Sequence, residues 1–284
     1  MRNIKLTIEY VGTHFHGWQT QTKNQPFDFT NSKKINLLRV DSEDGAFTSK
    51  IRAPMKSQRT VQGEITKALK KIFNTNLKLI GSGRTDSGVH ALGQVANFKI
   101  KSTISTQEIR NALNANLPED IVIRDIAEVP LNFHAQYSVK SKTYRYTIFN
   151  GPTRPVIDRH CCLFYPYKLN LRAMKKEAEA LIGRKNFKSF QASNPAKRLS
   201  DKKWNTTRTV KRVNIRRAED KIYIDIEADG FLYKMVRTTV GTLLSIGSGK
   251  LPKGSMKKIL AQKNRNFAGV TAKAHGLCLL KVSY

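Results

Sequence analysis

In TVQGEITKALKKIF, residues 60–73, the apolar side chains Val61, Ile65, Leu69 and Ile72 recur every three or four positions. That spacing lines one side of an α-helix, and Thr60 supplies a hydroxyl to cap its first turn. Towards the N-terminus, Ile4, Leu6, Ile8 and Tyr10 alternate with Lys5, Thr7 and Glu9, the two-residue period of a half-buried strand. Beyond the helix, two short strands are expected near residues 77–82 and 94–100, the second with Ala96, Phe98 and Ile100 on one face. A helix capped by Thr106, carrying Ile109 and Leu113, stops at Pro118. A strand near 121–126 completes the unit. The order is β-α-β-β-α-β, the ferredoxin-like arrangement.

The second half repeats that order with unrelated residues. A strand runs from Thr143 to Phe149, and a helix from Leu171 to Ile182 is stopped by Gly183. Strands Val210 to Ile215 and Ile222 to Ile226 form a hairpin around Ala218-Glu219-Asp220-Lys221. A mainly apolar helix spans Phe231 to Ile246, and a strand spans Leu277 to Val282. We therefore expect an α/β chain of two ferredoxin-like, RRM-like halves, residues 1–133 and 134–284. Their sheets should join side by side into one continuous, mainly antiparallel sheet flanked by helices. Residues 22–58 read as an insertion in the first half, a surface excursion between its first strand and first helix.

Charge is unevenly spread. The chain has 284 residues, with 51 Lys plus Arg against 21 Asp plus Glu, a formal +30. Residues 1–133 hold 19 basic and 12 acidic residues (+7), whereas residues 134–284 hold 32 and 9 (+23). Such an excess repels itself unless a polyanion relieves it, so nucleic acid is the expected partner. Lys202-Lys203, Lys211-Arg212 and Arg216-Arg217 are candidate phosphate contacts. No apolar run is long enough to span a bilayer and the N-terminus lacks a signal-peptide pattern, so a soluble cytoplasmic protein is expected. The three cysteines, Cys161, Cys162 and Cys278, match neither a zinc spacing nor a disulfide framework.

The most unusual segment is Gly81-Ser82-Gly83-Arg84-Thr85-Asp86-Ser87-Gly88-Val89-His90. It lacks the Lys-Ser/Thr ending of a P-loop and the glycine spacing of a dinucleotide fingerprint. What remains is a carboxylate in a glycine-flanked loop after a strand. If the chain stays extended, Arg84 and Asp86 point the same way, and the guanidinium would hold the carboxylate ionised. An aspartate that bonds its own turn is the alternative.

Residues 83–95, Gly83-Arg84-Thr85-Asp86-Ser87-Gly88-Val89-His90-Ala91-Leu92-Gly93-Gln94-Val95, resemble the signature of the TruA family of tRNA pseudouridine synthases. Further family-like stretches follow in order. They include Phe15-His16-Gly17-Trp18-Gln19, Lys142-Thr143-Tyr144-Arg145-Tyr146, Phe231 to Arg237, Val240-Gly241, and Thr271-Ala272 through His275-Gly276-Leu277. The resemblance implies that Asp86 is the essential catalytic residue. It further implies that Tyr144 packs on the target base, Arg84 takes part in base flipping and Arg237 pairs with the aspartate. It implies an active-site cleft between the halves, a homodimer, and conversion of uridine to pseudouridine at tRNA positions 38, 39 and 40 in the anticodon arm. Two departures stand out: Val11 precedes Gly12 where the family has Asp, and Thr238 replaces a common Asn.

Pseudouridine formation breaks the N1–C1′ bond, turns the uracil and rejoins it through C5. Nothing is oxidised and no group is imported, so no cofactor or metal is expected. The target base must leave its stack to reach the carboxylate. The alternative from another class is a catalytically inactive tRNA-binding protein or RNA chaperone of the same fold. An anion facing RNA phosphates argues against it.

Overall fold

The structure is a computed structural model that describes residues 1–19, 59–192 and 205–284. The first-half elements are β1 (Arg2–Tyr10), α1 (Val61–Phe73), β2 (Ile80–Gly81), β3 (His90–Ile100), α2 (Thr106–Asn116) and β4 (Ile121–Val129). The second half adds β5 (Ser141–Phe149), β6 (Leu163–Phe164), α3 (Leu171–Glu179), β7 (Gly183–Asn186), β8 (Thr207–Ala218) and β9 (Lys221–Ala228). It ends with α4 (Met235–Gly247), α5 (Ser255–Gln262) and β10 (Leu277–Ser283).

One mixed sheet of ten strands holds the chain together, in the order β4-β1-β3-β10-β5-β9-β8-β7, with β2 beside β3 and β6 beside β5. Each half keeps the ferredoxin-like strand order: β4-β1-β3-β2 in the first, and β10-β5-β9-β8 in the second. The halves join where β10 runs parallel to β3, with Cys278 opposite His90 and Leu279 opposite Ala91. Tyr10, Ala91, Leu279, Tyr144 and Ile226 are successive lateral partners, so one row of side chains crosses five strands and both halves.

Two cores sit on the helix-bearing side of this sheet. One is built from Ile4, Leu6, Ile8, Val61, Ile65, Leu69, Ile109 and Leu113, the other from Ile222, Ile224, Ile226, Met174, Val240 and Leu243. Tyr144 packs against both, which places it at the seam. The opposite side of the second half is charged. Arg145 pairs with Asp225 at 2.7 Å, and Arg145 and Arg216 both lie over the Tyr223 ring.

The elements differ from expectation in detail. Ser105, not Thr106, caps α2: its hydroxyl accepts from Glu108 N, while the Glu108 carboxylate accepts from Ser105 N at 2.9 Å, a reciprocal capping box. Helix α3 ends at Glu179, before Gly183. Helix α4 begins only at Met235, after Lys234 takes a left-handed φ of 58°. Short β6 and β7, and α5, carry too little periodicity to be read in advance. The expected 22–58 insertion, like Lys202-Lys203, lies outside the described residues apart from what flanks it.

Candidate active site

The Asp86 loop is held from three sides. Beneath it runs the segment after β1. Trp18 N–H donates to the Thr85 carbonyl at 3.2 Å, Gly88 N–H to the Phe15 carbonyl at 3.3 Å, and Ser87 Oγ to the same carbonyl at 3.1 Å. Gly17 makes this approach possible. Its φ is +93°, and a Cβ there would lie 2.6 Å from the Thr85 carbonyl oxygen. The Thr85 hydroxyl meets Tyr10 Oη at 2.8 Å, deep in the first core. From above, Ala274 faces Gly88.

Across the seam, Arg237 in the first turn of α4 meets the loop. Its Nη1 donates to Asp86 Oδ2 at 2.8 Å and its Nε to the Ala272 carbonyl at 2.8 Å. The side chains are 13% and 21% exposed, so the pair is largely but not wholly shielded from water. The cation beside Asp86 is therefore Arg237, not Arg84. The loop does not stay extended: Val89 N–H closes a turn onto the Asp86 carbonyl at 3.2 Å, and Arg84 faces solvent with no ion pair among the described residues. The Asp86 side chain is free of its own turn, and its Oδ1 carries no hydrogen bond among the described residues.

Tyr144 stands on β5 with its ring edge-on to Phe231, centroids 5.2 Å apart at 89°. Burial pushes its phenol well above the ordinary range, and the nearby Tyr10 and Asp86 add to the shift. Two residues earlier on the same strand face, Lys142 sends Nζ to the Ser82 carbonyl at 2.7 Å, against Gly83. Burial lowers this amine to about 8. Sequence reasoning assigned Lys142 no role, although its place two residues from Tyr144 on a strand points it the same way.

The segment 271–276 closes the site behind Arg237. Tyr146 Oη donates to the Lys273 carbonyl at 2.8 Å, and Ala272 N–H donates to the Arg237 carbonyl at 3.1 Å. His90 Nδ1 accepts from Gly12 N–H at 3.0 Å, which puts the ring proton on Nε2, 3.1 Å from the His275 carbonyl it donates to. The two departures fall on this scaffold without disturbing it. Val11 is exposed, and Thr238 Oγ1 lies 3.3 Å from Thr271 Oγ1, tying α4 to the same segment.

The family model described as tRNA pseudouridine synthase matches residues 6–138 and 178–284. The chain is 40% identical over 284 residues to the tRNA pseudouridine synthase A of Thermoanaerobacter sp. (strain X514), covering 100% of both chains. It is 44% identical over 228 residues to that of Shouchella clausii (strain KSM-K16), covering 80% of this chain and 85% of the relative.

The chain belongs to the TruA family of tRNA pseudouridine synthases.

In this TruA-family chain, the structure brings together Asp86, Arg237 and Tyr144 and leaves Arg84 at the rim. Among the described residues no group of histidines, cysteines and carboxylates has the arrangement to hold a metal ion. A cavity of about 530 Å³ opens elsewhere, on the other side of the 271–276 segment, and none of these four residues lines it.

Proposed function

We propose that this chain isomerises uridine to pseudouridine in tRNA, with Asp86 as the catalytic carboxylate, at positions 38, 39 and 40 of the anticodon arm. The observation that carries the reading is the Asp86–Arg237 pair. The first half contributes the anion, the second the cation, and one carboxylate oxygen is left unbonded at the seam.

The residues divide the work by their chemistry. The Arg237 guanidinium holds one carboxylate oxygen through a charge-assisted hydrogen bond, so Oδ1 is the atom that meets the nucleotide. From there the anion can attack C1′, add to the base, or take a ribose proton to give a glycal; each route returns it unchanged at the end of the cycle. Tyr144 offers a ring on which an extruded uracil stacks, offsetting part of the few kcal/mol spent on unstacking. Exposed Arg84 is placed to enter the space the base vacates or to meet a phosphate. The +23 excess of residues 134–284 supplies sequence-independent attraction to the tRNA backbone.

Residues 1–133 and 134–284 act as the two ferredoxin-like units, the catalytic loop on one and most of the positive charge on the other. We place the enzyme in the cytoplasm as a homodimer, in line with the resemblance; among the described residues no helix is long and apolar enough to cross a membrane. The test is tritium release from tRNA labelled at uracil C5. Wild type should release tritium and Asp86→Asn should not, while both bind tRNA alike. Tritium release by Asp86→Asn at the wild-type rate would remove the residue from the mechanism; binding without release by wild type would favour the inactive RNA-binding protein.

A further inference from the structure

The cavity of about 530 Å³ falls within the roughly 300–1,000 Å³ of pockets that hold small ligands or parts of larger ones. Its exposed lining is mainly apolar, with basic residues set among it. Arg154, Arg159, Lys273 and His275 supply positive or ionisable groups, and Leu163 and Phe164 an apolar wall. None of Arg154, Arg159 and Lys273 has a carboxylate partner among the described residues. The nearest acid along the chain, Asp158, is taken by Lys221 at 2.6 Å. Arg159 is partly oriented, its Nη1 donating to the Val156 carbonyl at 2.8 Å. Cations that converge on a concave surface without counter-charges raise the local concentration of anions.

The cavity shares a wall with the active site. Segment 271–276 is pinned through its carbonyls by Arg237, Tyr146 and His90, while Lys273 and His275 line the cavity. Phe164 is half-buried beside Phe149, their rings 6.5 Å apart, a surface on which a base can stack. Burial, and then the neighbouring Lys273, His90 and His160, hold the His275 imidazole below its ordinary pKa.

We infer that this cavity binds a phosphodiester of the substrate RNA, with the nucleoside next to it on Phe164, one wall away from the nucleotide presented to Asp86. The inference rests on the function proposed above, since it assigns a second contact to the same RNA.

The test measures tRNA affinity of wild type and the Arg154→Ala/Arg159→Ala variant across a series of salt concentrations. Loss of that phosphate contact should weaken binding at low salt, and the slope of log affinity against log salt should fall by about 0.7–0.9, the share of one phosphate. Arg154→Lys/Arg159→Lys should keep most of the slope. Superimposable slopes for wild type and the alanine variant would overturn the inference. In a second arm, wild type and the alanine variant, whose native fold is first checked by far-UV circular dichroism, are titrated with tRNAs that each carry a single neutral methylphosphonate linkage. One linkage near the target uridine should weaken wild type, and the alanine variant should be indifferent to it. No such linkage, or equal loss in both proteins, refutes the assignment. If a free nucleoside monophosphate binds as tightly as tRNA and depends on the same arginines, the cavity serves a small ligand instead. Failure of wild type to release tritium from tRNA would strike the proposed function, a result separate from either slope.

Discussion

Replacing Arg237 by methionine keeps an unbranched apolar stem while removing the guanidinium and its charge. The backbone bond from Ala272 N–H to the Arg237 carbonyl, 3.1 Å, survives, so the 271–276 segment stays anchored. What disappears is the 2.8 Å bond to Asp86 Oδ2 and the 2.8 Å bond to the Ala272 carbonyl. Both partners of the ion pair are mostly shielded, at 13% and 21% exposure, so solvent replaces the lost bond only in part. A hydrogen bond to a charged group contributes about 1.5–3 kcal/mol. At 1.36 kcal/mol per decade, kcat for tritium release should fall about 10- to 160-fold if the arginine holds the carboxylate in its reacting position. KM should change less than about threefold, because tRNA binding is spread over many phosphate contacts. A double-mutant cycle in urea unfolding, combining Asp86→Asn with Arg237→Met, should show a coupling of about 1–3 kcal/mol. A kcat within twofold of wild type would refute the reasoning, and so would additive unfolding energies.

Two further outcomes follow from the seam. Lys142 has its amine lowered from 10.5 to about 8 by burial, so the unfolded chain takes up this proton at higher pH than the folded one. The stabilisation linked to the neutral amine is complete above pH 10.5 and is lost as pH falls towards 8. Lys142→Met should therefore remove a stability increase of about 3 kcal/mol between pH 8 and 10.5, read by urea unfolding against wild type; identical pH slopes would exclude a buried amine. In β3, a Cβ on Gly93 would lie 2.5 Å from the Leu280 carbonyl oxygen of β10. Gly93→Ala should push the two halves apart, cutting tritium release more than tenfold while far-UV circular dichroism stays native; wild-type activity would show that the junction tolerates the shift.

Most of the fold was legible because its period is carried locally. Ile4, Leu6, Ile8 and Tyr10 on β1, or Val61, Ile65 and Leu69 on α1, each show their buried face within a dozen residues. The elements that escaped reading take their support from far away. Helix α5 follows Gly254 and has no capping side chain of its own; the Glu177 carboxylate of α3 accepts from Met256 N–H at 2.9 Å instead. The site divides in the same way. The glycines and Asp86 mark a special loop in the sequence, but the partner of the carboxylate lies 151 positions along. Local spacing favoured Arg84, two residues off, but that residue is exposed to solvent. The resemblance to the family pointed to Arg237 where spacing had no means to.

That division has a physical reason. A carboxylate kept partly out of water needs a cation near it, and supplying both from one loop would let them pair before the rest of the site exists. Here the anion rides on the loop before β3 and the cation on the first turn of α4, and β10 alone among the described strands bridges the halves by pairing with both β3 and β5. The row Tyr10, Ala91, Leu279, Tyr144 and Ile226 runs beneath them, so the register that aligns the strands also sets Tyr144 against the Asp86 loop. The parallel junction is held by only two registered residue pairs, far fewer than β1 shares with β3. The Asp86–Arg237 bond thus ties the two halves together across their junction. On the proposed mechanism the substrate would meet Oδ1, because Arg237 holds Oδ2 and with it the tie between the halves.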